Sequence, residues 1–111
     1  MGSKSKMVKI VVFAPEADAD KIREVMGQAG AGKIGNYTFC SFSVRGIGRF
    51  NPGKGAHPAI GKIGKLEEVK EERIEVECER ENLKKVLAAI KKVHPYEEPA
   101  IDIYPLENYK I

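Results

Sequence analysis

The spacing of apolar side chains divides the first part of the chain into a strand and a helix. Residues 8–13 are rich in β-branched side chains and predict a central strand. A helix is predicted next, with Asp18 as its cap, Asp20 near its positive end and Gly30 as its left-handed stop. Its apolar stripe consists of Ile22, Val25, Met26 and Ala29. These positions follow the i, i+3, i+4, i+7 spacing of one buried helix face.

From Tyr37 the apolar period changes to two, which predicts a second strand. The positions expected on its apolar face are Cys40, Phe42 and Val44. Ser41 and Ser43 are expected on the opposite face. A long irregular segment is predicted to follow, over about residues 46–66. A loop of this length in a small domain usually has a function.

The second half of the chain repeats the strand, helix and strand pattern. Ile74, Val76 and Cys78 alternate with charged residues, as in a half-buried antiparallel strand. A second helical stripe follows, made of Leu83, Val86, Leu87, Ile90 and Val93. Pro95 ends this helix, and a short last strand over 101–104 is closed by Pro105.

The element order β-α-β-β-α-β predicts an α+β fold of the ferredoxin-like type. Right-handed crossovers would place both helices on one face of a four-stranded antiparallel sheet. The other sheet face is expected to carry Ser41, Ser43, Glu75 and Glu77. Such a polar face suits contact with water or with another subunit.

Composition indicates one globular domain. The 111 residues are 42% hydrophobic and 32% charged, which is ordinary for a folded protein. Residues 1–6 are expected to be a flexible N-terminal segment, with Met7 as a candidate natural start, followed by a single domain over 7–111. No apolar run is long enough to span a bilayer, so a membrane is not an expected partner.

Charge and cysteine usage indicate a cytoplasmic protein. The formal net charge of +3 is too small to require nucleic acid as a partner. Cys40 and Cys78 lack CxxC spacing and are interpreted as reduced, buried thiols, with a disulfide or metal pair as the alternative.

The glycine-rich middle of the chain suggests phosphate binding only superficially. Residues 30–35 match GxGxxG, but they follow a predicted helix, whereas a dinucleotide-binding turn opens one. In the long loop, Arg45 and Arg49 are candidate ligand-binding residues that could contact a phosphate or RNA. The competing interpretation is a solvated or subunit-contacting loop.

The corner over residues 93–100 carries the strongest candidate site. Pro95 and Pro99 stiffen it. We expect Tyr96 to be structural, its ring packing on the end of the second helix. His94, Glu97 and Glu98 are the candidates for ligand contact, including one imidazole and two carboxylates for a divalent metal ion. In the competing interpretation His94 caps the helix and both glutamates are solvated.

Several ordered motifs resemble the domain inserted in NIF-three-like proteins, which are often called GTP cyclohydrolase I type 2 homologues. The matching residues are 29–37, 40–43, 46–50, 60–64 and 94–104. The resemblance implies a PII/CutA-like ferredoxin fold, and the CutA family has a segment similar to residues 94–99. In NIF-three-like proteins the metal ions are held by the main domain, to which no residues here correspond. The resemblance therefore implies a stand-alone version of the inserted domain.

Three functions follow as expectations. The first is a non-enzymatic regulatory or binding module that holds a small ligand or another protein with the long loop and the 93–100 corner. The second is a CutA-like binder of divalent cations, and the third an accessory to a metal-dependent hydrolase. The resemblance also implies a homo-oligomer, with a trimer favoured. The sequence names neither the ligand nor the partner.

Overall fold

The computed structural model describes residues 5–107. The elements in chain order are β1 (Met7–Pro15), α1 (Glu16–Gln28), β2 (Phe42–Phe50), β3 (Glu67–Glu79), α2 (Leu83–Val93) and β4 (Ile101–Pro105). A single 3₁₀ turn, Arg80–Asn82, leads from β3 into α2. The predicted β-α-β-β-α-β order is confirmed.

The four strands form one antiparallel sheet in the order β2-β3-β1-β4. The inner strand β1 pairs with β3 and β4 along its two edges, and most of its residues are buried. Both helices contribute side chains to the core on one sheet face. This is the ferredoxin-like arrangement predicted from the element order.

The core combines the two helical stripes with one face of β1 and β3. Its large, fully buried members include Ile10, Ile22, Met26, Ile74 and Ile90. Fully burying an aliphatic side chain of this size contributes about 1.5–3 kcal/mol. This layer fixes the sheet against the helices and holds the ends of β1 and β3 at which the site lies.

β2 begins at Phe42, later than predicted, so Cys40 and Ser41 precede it, and the predicted faces of Phe42, Ser43 and Val44 are wrong. Ser43 lies opposite the buried Ile74, and its hydroxyl accepts a hydrogen bond from Arg23 on α1, so it faces the helices. Phe42 lies opposite Glu75 on the open sheet face, where Val44 also lies. Both apolar side chains are exposed, Phe42 by 64%. Period two identified the strand, but the register with β3 decided which face is covered.

The hairpin is longer than predicted, and the irregular segment is shorter. β2 continues through Arg45, Gly46 and Arg49 to Phe50, and β3 begins at Glu67, which leaves residues 51–66 as the loop. Glycines and charges are weak strand formers, but backbone pairing between β2 and β3 continues to the pair Phe50 and Glu67.

The start of α1 also differs from the prediction. The helix begins at Glu16 after Pro15, with no side-chain cap, so Asp18 lies in its first turn. Gly30 has φ of 103° and provides the predicted left-handed stop. Both cysteines are free thiols; Cys78 is buried, whereas Cys40 is only partly so. Between residues 5 and 107, no helix has both the length and the apolar character needed to cross a membrane.

Candidate ligand-binding groove

A groove of about 550 Å³ lies where the β2–β3 hairpin, the 51–66 loop and the 94–100 corner meet. Its aromatic lining residues are Phe13, Phe50 and Tyr96. The loop contributes small or apolar residues, among them Pro52, Ala56 and Ile60. This volume is within the range of small-molecule sites. The two segments singled out in the sequence, the long loop and the proline-flanked corner, therefore line one groove.

His94 anchors the corner to the sheet. Its Nε2 lies 2.7 Å from the carbonyl oxygen of Phe13, and its Nδ1 lies 3.1 Å from the backbone nitrogen of Tyr96. Tyr96 N–H can only donate, so Nδ1 accepts, and the Nε2 proton is donated to Phe13. The residue is only 8% exposed. His94 thus fixes the direction in which the chain leaves α2.

Tyr96 extends from this anchor into the groove. Its ring contacts His94 and Phe50, with ring centroids 5.2 and 5.8 Å away. Its hydroxyl donates a hydrogen bond to Oε2 of Glu71, 2.7 Å away. Burial raises the pKa of Tyr96, and the hydrogen bond to Glu71 raises it further. The phenol therefore keeps its proton at neutral pH and acts as a fixed donor.

Glu71 is a buried carboxylate at the wall of the groove. Its side chain belongs to a glutamate-rich stretch of β3, whose composition predicts exposure to solvent, yet the residue is only 8% exposed. Gly48 makes room for it, because a Cβ at that position would lie 2.0 Å from Glu71 Oε1. The carboxylate consequently lies across the backbone of β2. Any side chain at Gly48 would have to displace it.

The loop is fastened to the corner and to itself. The backbone nitrogen of His57 donates to Oε1 of Glu97, 2.9 Å away. The backbone nitrogen of Gly64 donates to the carbonyl of Pro52, 2.8 Å away, which closes the base of the loop. The loop therefore forms a wall of the groove.

The remaining predicted ligand residues are divided between two places. Glu97 and Glu98 are exposed residues of the groove lining. Arg49 also belongs to the lining, and its Nε is paired with Glu68 at 3.0 Å. Arg45 instead lines a neighbouring depression of about 290 Å³ together with Val44 and Arg73. Three of the five predicted ligand residues, Arg49, Glu97 and Glu98, therefore line the groove, whereas His94 lies behind Tyr96 and Arg45 lies outside.

The predicted metal ligands are not arranged as a preformed cluster. In the described part of the chain, no group of three or more His, Cys, Asp or Glu side chains is placed to hold a metal ion. Both ring nitrogens of His94 have backbone partners, so coordination would require the ring to release one of them. A divalent ion at His94, Glu97 and Glu98 stays a prediction.

Sequence reasoning missed Glu71, Gly48 and Phe13 as parts of the site. The alternation of β3 around Arg73 predicts that Glu71 lies on the open sheet face. It does not indicate that the loop and the corner cover this end of the face. The only available signal was Tyr96, a residue whose hydroxyl needs a partner when its ring is buried.

The comparisons with known proteins agree with the sequence resemblance. The chain is 51% identical over 102 residues to the GTP cyclohydrolase 1 type 2 homolog of Halalkalibacterium halodurans. It is 48% identical over 100 residues to the protein of that name from Bacillus subtilis. These matches cover 92% and 90% of this chain but 27% of each relative. The chain spans about a quarter of the length of these curated relatives. No protein-family model matches it.

Solved structures show the same relationship. A Bacillus cereus protein related to NIF3 superposes with a TM-score of 0.82 and 44% identity, over 96% of this chain and 27% of that one. The divalent cation tolerance protein CutA from Archaeoglobus fulgidus superposes with a TM-score of 0.68 and 21% identity, over 94% and 87% of the two chains. That likeness shows the fold alone. The chain thus matches, in sequence and in fold, one segment of the NIF-three-like GTP cyclohydrolase 1 type 2 homologues, a segment with a CutA-like fold.

Proposed function

We propose that this chain is a non-enzymatic binding module that holds a small ligand in the groove between hairpin, loop and corner. The observation that carries the proposal is the convergence of the 51–66 loop and the 94–100 corner on one apolar groove with a buried Glu71–Tyr96 pair in its wall. Mostly apolar walls with a few fixed polar groups are typical of small-molecule sites. A cytoplasmic location is part of the proposal and agrees with the two free thiols.

The chemistry of the groove supports binding rather than catalysis. The phenol of Tyr96 and the carboxylate of Glu71 are hydrogen-bonded to each other, and burial raises the pKa of Tyr96. A phenol that keeps its proton so firmly is a poor general acid, and the phenolate that could act as a base does not form at neutral pH. The pair is therefore suited to a fixed polar contact with a ligand.

The groove is also poorly suited to the triphosphate that the relatives' name suggests. Its described lining includes the carboxylates of Glu71, Glu97 and Glu98, against one guanidinium, Arg49, which is already paired with Glu68. Bringing a polyanion beside these carboxylates is electrostatically unfavourable. We expect no binding or turnover of GTP by this chain.

Ligand screening by thermal denaturation tests the proposal. The panel contains divalent metal ions, GTP and ATP, organic anions and organic amines. A compound that binds the native state raises the melting temperature with its concentration. We expect a member of the panel other than the nucleotides to do so. A shift given only by divalent ions, and lost in Glu97→Gln with Glu98→Gln, would instead support the CutA-like alternative.

A variant that fills the groove locates the binding. Ala59 lines the groove, so Ala59→Trp should abolish the shift, whereas Lys65→Trp, at an exposed loop residue outside the lining, should not. A panel without any stabilising compound would contradict the small-ligand proposal. A shift that survives Ala59→Trp would place the ligand elsewhere. A protein partner or a role beside a metal-dependent hydrolase would then be the remaining candidates.

We also propose that the chain self-associates, with a trimer favoured from the family resemblance. The open sheet face supports self-association because it exposes Phe42, Val44 and Tyr104. Light scattering should give about three times the 12.3 kDa of one chain. A mass of 12.3 kDa throughout the micromolar range would contradict self-association, and a mass of two chains would contradict the trimer.

A further inference from the structure

The polar groups of the groove narrow the chemical class of its ligand. Glu71 is buried, and its Oε2 accepts from Tyr96. No described Arg or Lys forms an ion pair with Glu71. Arg73, two residues along the same strand face, is instead paired with Glu75 at 3.1 Å and lies over the ring of Phe13. A buried carboxylate without a cation is costly, and a bound cation would offset that cost.

Three aromatic rings line the same groove as this carboxylate. Phe50 and Tyr96 pack edge to face, and Phe13 completes the aromatic part of the lining. The faces of aromatic rings attract cations, and a carboxylate among them adds a directional acceptor for N–H donors. The lining adds Glu97 and Glu98 against one guanidinium, that of Arg49, which is paired with Glu68, so the net charge of the lining favours a positive ligand.

We propose that the groove binds an organic ammonium ion, its charged nitrogen at Glu71 and its apolar body between the aromatic rings and the 51–66 loop. This inference rests on the proposed binding function and names its ligand class. Glu71 Oε1 lies over Gly48 and accepts the N–H of the ligand, while Oε2 keeps its bond to Tyr96. The walls accommodate an alkyl or phenyl body.

Three probes with one body and different charges test the ligand class. They are 3-phenylpropylamine, which is cationic at neutral pH, the neutral 3-phenylpropan-1-ol and the anionic 3-phenylpropanoate. Isothermal titration calorimetry should show the amine binding at least about tenfold more tightly than the alcohol, since a charge-assisted hydrogen bond is worth that much. The anion should not bind. Equal or tighter binding of the alcohol or the anion would overturn the inference.

Substitutions test whether Glu71 binds the ammonium group of the ligand. Glu71→Gln keeps the shape and an acceptor for Tyr96, and should weaken amine binding at least about tenfold. Gly48→Ala keeps the carboxylate but displaces it, and should also weaken amine binding. This second variant tests the inference if Glu71→Gln fails to fold. Glu79→Gln, at an exposed position of the same strand outside the groove lining, is the matched control and should bind like the parent. Undiminished amine binding in folded Glu71→Gln or Gly48→Ala would overturn the inference.

The experiments distinguish failure of the ammonium inference from failure of the small-ligand proposal. If no amine binds but a panel compound of another class gives a shift that Ala59→Trp abolishes, the groove is a ligand site and the ammonium inference is wrong. If the amine binds and Ala59→Trp does not affect it, the nitrogen is bound elsewhere and the inference is wrong. If no panel compound gives a shift, both proposals are contradicted.

Discussion

The substitution His94→Ala is expected to lower the free energy of unfolding by about 2–4 kcal/mol, because it leaves two partly buried backbone groups without their partner. The carbonyl of Phe13 loses its donor, and the backbone N–H of Tyr96 loses its acceptor. The residue is 8% exposed, so water replaces these bonds poorly. Urea denaturation followed by circular dichroism measures the change.

His57→Ala is the matched control, since His57 is the other histidine of the chain and is exposed. We expect it to change stability by no more than about 0.5 kcal/mol. From the sequence, a helix-capping His94 would be dispensable for folding. If His94→Ala proves as mild as His57→Ala, the anchoring of the corner by its imidazole is wrong.

The second large effect is expected at Tyr96. Tyr96→Ala should destabilise the protein by about 2–4 kcal/mol, since it removes a partly buried ring and the donor to a buried carboxylate. The ring contacts Phe50 and His94, so its loss opens the junction between hairpin and corner. The same denaturation measurement applies.

Tyr96→Phe separates the hydroxyl from the ring. It should cost about 1–2 kcal/mol, the loss of a hydrogen bond to a charged group. The double variant with Glu71→Ala should show a coupling energy, because either single substitution removes the one hydrogen bond between the two side chains. Additive effects of Tyr96→Phe and Glu71→Ala would contradict a Glu71–Tyr96 pair in solution.

The fold could be predicted from the sequence because its elements carry unambiguous periods. The stripe through Ile22 and Met26 and the one through Val86 and Ile90 both pack in the core. The alternation at Ile74, Val76 and Cys78 identified the buried face of β3. Each of these patterns reflects burial against a helix or sheet layer, and burial is what apolar periodicity records.

β2 shows where this reasoning fails. Its alternation is real, but the side chains of Phe42 and Val44 lie on the face that the helices do not cover. Alternating apolar residues predict that one face of a strand is buried by other elements of the same chain. The prediction fails for β2 because no element of this chain covers the face that carries its apolar side chains. The exposed phenyl ring of Phe42 is consistent with coverage by another subunit, which the light-scattering experiment tests.

The site was predictable only in part. The prolines around Tyr96 and the length of the loop identified the two segments, but not the residues at which they meet. Glu71 and Gly48 come together because β2 and β3 pair in one register and the carboxylate extends across the neighbouring strand. Neither residue type has a local signal for this, since the contact depends on tertiary geometry. His94 was predicted to contact a ligand, whereas its ring contacts the backbone.

Amide chemical-shift mapping locates the bound ligand on the protein. ¹⁵N-labelled protein is titrated with the panel compound that gives the largest thermal shift. We expect the largest changes at Gly48, Ala56, Ala59 and Ala100, which line the groove from β2, the loop and the corner. Largest changes on the outer faces of α1 and α2, with these four amides unmoved, would contradict a ligand site between the hairpin, the loop and the corner.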